Sequence, residues 1–445
     1  MLASAAGPAE LRLATMLADI GVVLLVGAVF GRLVQKVRQP VVVGEILAGI
    51  ALGPSLLGLF PGDLTHKLFP TDVRPLLSAV SQVGLVLFMF LVGWEFEKRL
   101  IKPHAGLALG VSLLSIALAF GLGAGLAVFL YPEHMTVAGR TIPFSAFATF
   151  LGTAMSITAF PVLARIISEN RLMGTRVGSL SLGAAAVDDL LAWCLLAWVS
   201  ALVSSNGDYR DLLRIGALSL VYLAAMLLVV RPAAAWLMWR LAAAERWSLL
   251  LAVLCAGAMV SAWVTTWIGI HAIFGAFLFG FVMPREPARV LIEHTRRPLE
   301  NVSVVLLPVF FIITGLGVDL GALTSGDWVA LVAIIAVACV GKLAGALLPA
   351  RLAGFNWRES FDLGLLMNTR GLTELIILNA AVSLGVLDGR MFTMLVIMAL
   401  VTTAMAGPLL SRRLAAEEPV PAGAPVRAAD TERSEPLADV IEPRV

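Results

Sequence analysis

Two aspartates stand side by side in an otherwise uncharged run, Gly183-Ala184-Ala185-Ala186-Val187-Asp188-Asp189-Leu190-Leu191-Ala192-Trp193. In hydrocarbon an ionisable side chain costs about 2.5–3.5 kcal/mol even on lenient insertion scales, so each one needs a reason to be there. Adjacent helical positions differ by about 100°, and the two carboxylates therefore cannot point at one partner. One can pair with a cation of the protein while the other faces water or a transported ion. The small residues ahead of them let a neighbouring helix come close. A second such charge is Lys342, in Ala338-Cys339-Val340-Gly341-Lys342-Leu343-Ala344-Gly345. An ammonium there needs a carboxylate, and an aspartate of the pair is the obvious candidate. On the blander reading the aspartates only glue helices together and the lysine snorkels to an interface. Two successive carboxylates at mid-span favour the chemical reading.

Two further segments carry helix-breaking sequence at similar depth: Ser156-Ile157-Thr158-Ala159-Phe160-Pro161 and Met367-Asn368-Thr369-Arg370-Gly371-Leu372-Thr373-Glu374. Proline deletes a backbone donor and glycine loosens a helix, while Ser, Thr and Asn satisfy the groups set free. Irregular backbone inside a bilayer is tolerated only around a buried site or cavity. Arg370 is placed to neutralise the negative carboxyl end of the half-helix before it and to reach Glu374 one turn on.

These residues need membrane-spanning elements to hold them. The 445 residues are 59% hydrophobic and 14% charged, with a mean hydropathy of +0.93, which argues against a soluble enzyme. A net charge of +2 gives no reason to expect a nucleic-acid partner. Cys194, Cys255 and Cys339 all fall in apolar runs and read as packing residues without a disulfide framework. Windows of about 20 apolar residues place thirteen spans, at 13–33, 41–60, 75–94, 105–131, 143–168, 175–203, 213–237, 247–267, 269–284, 300–317, 327–350, 360–386 and 391–411. The ninth is short enough to be tilted or partly re-entrant. The expected fold is an all-α polytopic membrane protein. The two broken spans, five and twelve, are seven apart and cross in opposite directions. A first half at 13–203 and a second at 247–411, joined by a linker helix at 213–237, would form an inverted repeat with the site at its discontinuous helices.

Lys and Arg alternate between loops. One set carries Arg32, Lys36, Arg38, Lys98, Arg99, Lys102, Arg165, Arg171, Arg176, Arg231, Arg240, Arg246, Arg285, Arg289, Arg296, Arg297, Arg351, Arg358, Arg412 and Arg413, against seven basic residues in the other set. The positive-inside rule then puts residues 1–12 outside the cell and residues 412–445 in the cytoplasm. The first dozen residues lack a basic signal-peptide region, so the first helix is expected to be retained. The tail, rich in Glu, Pro, Ala and Arg, is expected to be disordered.

Pro40-Val41-Val42-Val43-Gly44-Glu45-Ile46-Leu47-Ala48-Gly49-Ile50-Ala51-Leu52-Gly53-Pro54-Ser55, the run from Ser156 to Arg165, Ala186 to Asp189, Gly341-Lys342 and Asn368 to Leu375, taken in order, resemble the monovalent cation/proton antiporter superfamily. The likeness runs from about residue 13 to 411 and is nearest to the bacterial sodium or potassium antiporters and plant cation/proton exchangers. It implies a sodium/proton antiporter-like fold, a homodimer, and a core domain that moves like an elevator against a dimerisation domain. It also implies that Asp189 binds the cation or protons, that Asp188 pairs with Lys342, and that Thr158 at the unwound crossing helps to coordinate the ion. The resemblance further implies electrogenic exchange of Na⁺, K⁺ or Li⁺ for protons, as in members of that superfamily that carry two aspartates with the lysine. No cofactor is implied. The chain departs from the potassium-efflux branch in having only a short tail where that branch carries a nucleotide-binding domain.

The chemistry agrees with this resemblance, since a hard cation wants oxygen ligands and a carboxylate, hydroxyls and freed carbonyls supply them. Glu45 and Glu374 are candidates to complete the network, with a solvated funnel position as the other reading for Glu45. Glu95 and Glu97 read as an interfacial cluster with Lys98 and Arg99. His271 reads as structural rather than as a pH sensor. A sodium-coupled organic-anion symporter of similar fold has less use for two aspartates and a lysine. A potassium efflux channel-like protein would need a selectivity ring and a gate. For an enzyme, no nucleophile, metal cluster or phosphate loop stands out.

Overall fold

Charged and proline residues interrupt the apolar runs at intervals, and between them the chain is helix almost throughout. The computed structural model describes residues 7–37, 39–95, 105–170, 172, 175–204, 209–284 and 291–415. The Glu97, Lys98, Arg99 and Lys102 group, Arg171, Arg285, Arg289 and the tail beyond 415 lie outside the described residues, as do the side chains of Glu95, Arg165, Arg412 and Arg413.

In chain order the helices are α1 (Pro8–Lys36), α2 (Val41–Leu52), α3 (Leu64–Leu68), α4 (Arg74–Glu95), α5 (Ala105–His134), α6 (Phe144–Ser156), α7 (Phe160–Glu169), α8 (Arg176–Ser204), α9 (Tyr209–Ala225), α10 (Arg231–Ala243), α11 (Trp247–Ile268), α12 (Ala272–Val282), α13 (Arg297–Leu316), α14 (Ser325–Leu352), α15 (Trp357–Met367), α16 (Leu372–Ser383) and α17 (Gly389–Ala415). A two-residue hairpin, Thr136–Val137 with Arg140–Thr141, follows α5.

Ten described helices are long and apolar enough to cross a membrane. Three shorter apolar helices, Phe144–Ser156, Ala272–Val282 and Leu372–Ser383, fall within the fifth, ninth and twelfth expected spans. The eleven residues of α12 rise only about 17 Å, so that helix alone is too short for a hydrocarbon core of about 30 Å. Large apolar side chains such as Leu25, Phe129, Leu228 and Trp263 point outward, as a lipid-facing surface requires. The chain is a multi-pass membrane protein.

The helices pack in two groups. One contains α1, α2, α4, α11, α12 and α13; the other contains α5, α6, α7, α8, α14, α15, α16 and α17. Each group draws consecutive helices from both halves of the chain, as an inverted repeat demands. In the second group α14 lies directly on α5. A Cβ on Gly345 would stand 2.5 Å from the Cα of Ser115, and one on Gly341 would stand 2.7 Å from that of Ala119. This close approach, a small-xxx-small contact, sets the depth at which Lys342 enters the core.

Candidate functional site

Both segments with helix-breaking sequence are interrupted in the structure: α6 ends at Ser156 and α7 begins at Phe160, while α15 ends at Met367 and α16 begins at Leu372. The unwound stretches cross and satisfy one another. The backbone N–H of Ala159 donates to the Thr369 carbonyl at 3.0 Å, and the Thr158 hydroxyl donates to the Met367 carbonyl at 2.7 Å. Gly371 has φ 158° and ψ −126°, and a Cβ there would meet Val162 at 2.6 Å, so both the turn and the crossing require glycine.

Arg370 sits at the centre of the crossing, fully buried. Its guanidinium reaches Glu374 at 2.9 Å, as the one-turn spacing predicts. Its other contacts correct the expectation that it serves the half-helix before it. Nη1 and Nη2 donate to the carbonyls of Ala154 and Met155, the carboxyl end of α6. The crossing brings that end, with its partial negative charge, within hydrogen-bond reach of the guanidinium.

On α8 the two aspartates have separate surroundings. Asp188 is fully buried and accepts from Lys342 Nζ at 2.6 Å and from Ser112 Oγ at 2.5 Å. Lys342, fully buried on α14, also reaches Ser115 Oγ at 3.4 Å. Asp189 accepts from the Thr373 hydroxyl at 3.3 Å and from the backbone N–H of Phe160. Phe160 opens α7 and Thr373 lies in the first turn of α16, so the positive ends of two half-helices converge on this carboxylate. Among the described residues no Lys or Arg forms an ion pair with Asp189, which keeps 7% exposure where Asp188 has none.

The structure therefore brings together Asp188, Asp189, Lys342, Thr158, Arg370 and Glu374. Glu45 stays apart: it is buried on α2 against Gly27 of α1, and among the described residues no ion pair joins it to this network. His271 stands at the N-cap of α12 with Nδ1 buried and no partner among the described residues. The three cysteines are free, and Cys339 accepts from Asn368 Nδ2 at 3.4 Å. Cys194, expected to be a packing residue, is exposed.

Several partners are invisible to sequence reasoning. Ser112, Ser115 and Thr373 are hydroxyls in apolar helices, too common there to single out. Asp19 is a different case: it lies inside the first span, is 3% exposed, and its Oδ2 has no partner among the described residues. The same charge-in-hydrocarbon argument applied to Asp188 picks it out.

Two unwound half-helices thus cross beside a carboxylate that, among the described residues, is held by neutral donors. A family model described as sodium/hydrogen exchanger, transmembrane, matches residues 21–416, and the chain belongs to that family. It is 40% identical over 404 residues to the Na(+)/H(+) antiporter NhaS4 of Synechocystis sp., covering 89% of this chain and 96% of that one. It is 36% identical to the Cation/H(+) antiporter 15 of Arabidopsis thaliana and 35% identical to the K(+)/H(+) antiporter 1 of Saccharomyces cerevisiae, covering 91% and 84% of this chain. It spans only 48% and 43% of those two longer relatives. The solved structure of the sodium proton antiporter MjNhaP1 from Methanocaldococcus jannaschii shares the fold, with a TM-score of 0.62, 14% identity, and coverage of 91% of this chain and 97% of that one. These relatives are transporters, not enzymes.

Proposed function

We propose that this protein exchanges a monovalent cation, Na⁺ or K⁺, for protons, with Asp189 as the carboxylate that either one occupies in turn. The observation that carries this reading is the unequal treatment of the two aspartates. Asp188 has a fixed cation at 2.6 Å, whereas Asp189 has a hydroxyl and a backbone N–H. A buried carboxylate without a fixed cation gains most from a mobile one, and one site that holds either ion but not both yields exchange. Thr158 and Thr373 add oxygens for a hard cation, and Arg370 with Glu374 keeps the crossing neutral.

Exchange of one cation for one proton at Asp189 alone is electroneutral; electrogenic exchange needs a second proton per cation, which Lys342 supplies if a bound cation takes its place beside Asp188 and the ammonium gives up a proton. The two helix groups suit an elevator, with the group that contains Asp189 moving against the group that contains α1, and with a homodimer formed by the latter. The repeat halves are 13–203 and 247–411, joined at 213–237. The alternation of basic loops supports a plasma-membrane protein with its amino terminus outside and its carboxyl terminus in the cytoplasm.

Purified protein in proteoliposomes with an internal pH dye should show proton movement when Li⁺, Na⁺, K⁺ or Rb⁺ is added outside. A response that requires an organic anion, or cation conductance without proton movement, would replace this reading by the symporter or the channel.

A further inference from the structure

The linker helix carries a feature that ion exchange does not use. From Arg210 to Ala243 it runs for 34 residues, about 51 Å, far longer than a hydrocarbon core of about 30 Å. Arg210 and Arg231 are about 32 Å apart along this axis, one hydrocarbon thickness, so when one lies at a headgroup layer so does the other. Just before Arg231 the helix widens into a π-turn over Met226–Val230, because Pro232 has no N–H to close the regular ladder. Just after it, Trp236 and Trp239 are 58% and 70% exposed, the aromatic pattern of a membrane interface.

Against this bend α12 ends early, and a cavity of about 260 Å³ remains. Leu227, Arg231 and Ala235 form one wall; Phe281, Met283 and Pro284 form the other. The second wall is fixed, since Met283 is buried and the Pro284 carbonyl accepts from Trp94 Nε1 at 3.0 Å. Arg231 is the one charged residue of the lining, an exposed side chain that among the described residues has no carboxylate partner.

We propose that this cavity binds an anionic phospholipid, with the phosphate on Arg231 and the upper part of an acyl chain between Leu227 and Met283. A free anion has no use for the apolar walls, and a hydrocarbon chain alone has none for the guanidinium. The site lies where the linker between the two halves meets α12, away from Asp189, and its occupancy does not depend on which ion is exchanged.

Native mass spectrometry of the detergent-solubilised protein, mixed with phosphatidylglycerol or phosphatidylcholine of matched chains, tests this. One basic residue near the surface predicts about fivefold preferential retention of phosphatidylglycerol. Arg231→Gln should abolish the preference, and Ala235→Phe, which fills the cavity and keeps the charge, should lower retention of phosphatidylglycerol. Equal retention of the two lipids by the unaltered protein would overturn the proposal. So would undiminished phosphatidylglycerol binding in both variants, or its displacement by millimolar inorganic phosphate, which would mark a simple anion site.

Discussion

Asp188 and Lys342 form an ion pair, 2.6 Å long and fully buried, between two helices 154 residues apart in sequence. The pair leaves Asp189, one position on, as the carboxylate at the crossing without a fixed cation. Division of labour between neighbours on one helix follows from the 100° turn between them, and most of the site's behaviour follows from that division.

Removing one partner of a buried ion pair costs roughly 3–5 kcal/mol, because the other charge is left uncompensated. Lys342→Ala should therefore lower the thermal unfolding temperature markedly, and Asp188→Asn combined with Lys342→Met should restore much of it. The two single losses should fail to add. Reconstituted Lys342→Ala should also lose the voltage response of exchange; unchanged electrogenicity would show that Lys342 does not carry the second charge.

Arg370 serves two helices, and its loss should tell on both. Arg370→Gln strands Glu374 and two carbonyls of α6, whereas Glu374→Gln leaves the carbonyl contacts intact. Thermal unfolding should rank Arg370→Gln as the more damaging by about 1–3 kcal/mol. An equal effect would mean that the ion pair matters and the carbonyl contacts do not.

Gly371→Ala combines a disallowed backbone with a Cβ 2.6 Å from Val162. Loss of at least about 1–3 kcal/mol of stability is expected, together with reduced transport, because the crossing itself must shift. Gly385→Ala, where φ is 71° but nothing lies within 4 Å, should cost only the backbone part and leave transport intact.

A second ionic cluster ties the far ends of α5, α14 and α17. His134 Nδ1 lies 2.7 Å from Asp388, and Arg390 bridges to Asp327 at 3.2 Å. Partial burial pushes the Asp388 carboxyl up, but the His134 hydrogen bond, the Met391 N–H and the charges of His134 and Arg390 outweigh it, so its pKa falls below that of an ordinary aspartate. A lowered carboxyl stabilises the fold above its unfolded pKa and stops doing so as the pH falls through the folded value. Asp388→Asn should thus destabilise the protein by about 1 kcal/mol at pH 7, and the difference from the unaltered protein should shrink below pH 4. A difference that grows in acid would contradict the assignment.

The helical membrane fold was legible because apolar runs of helix length have few alternatives in a bilayer. Asp188, Asp189 and Lys342 were legible for a related reason, since a charge in hydrocarbon is conspicuous in a string of Leu and Ala. Glu374 followed from Arg370 by helical spacing. What the string could not show was contact across the crossing. Arg370 turned out to serve Ala154 and Met155, more than 200 residues earlier, and Thr158 bonds Met367 at a similar remove. The hydroxyls of Ser112, Ser115 and Thr373 carry no signature until packing orients them. The shortness of α12 is visible in the ninth apolar run, but the cavity at its end depends on how the linker helix bends beside it.

The central claim is that Asp189 is where cation and proton compete. Its direct test is cation-driven proton movement in proteoliposomes carrying Asp189→Asn, beside unaltered protein reconstituted to the same density. Asn keeps the size and can still accept from Thr373 and Phe160, but it binds neither ion as a counter-charge. Abolished exchange in a folded Asp189→Asn protein is the predicted result. Proton movement of undiminished size on adding Na⁺ or K⁺ would contradict the account.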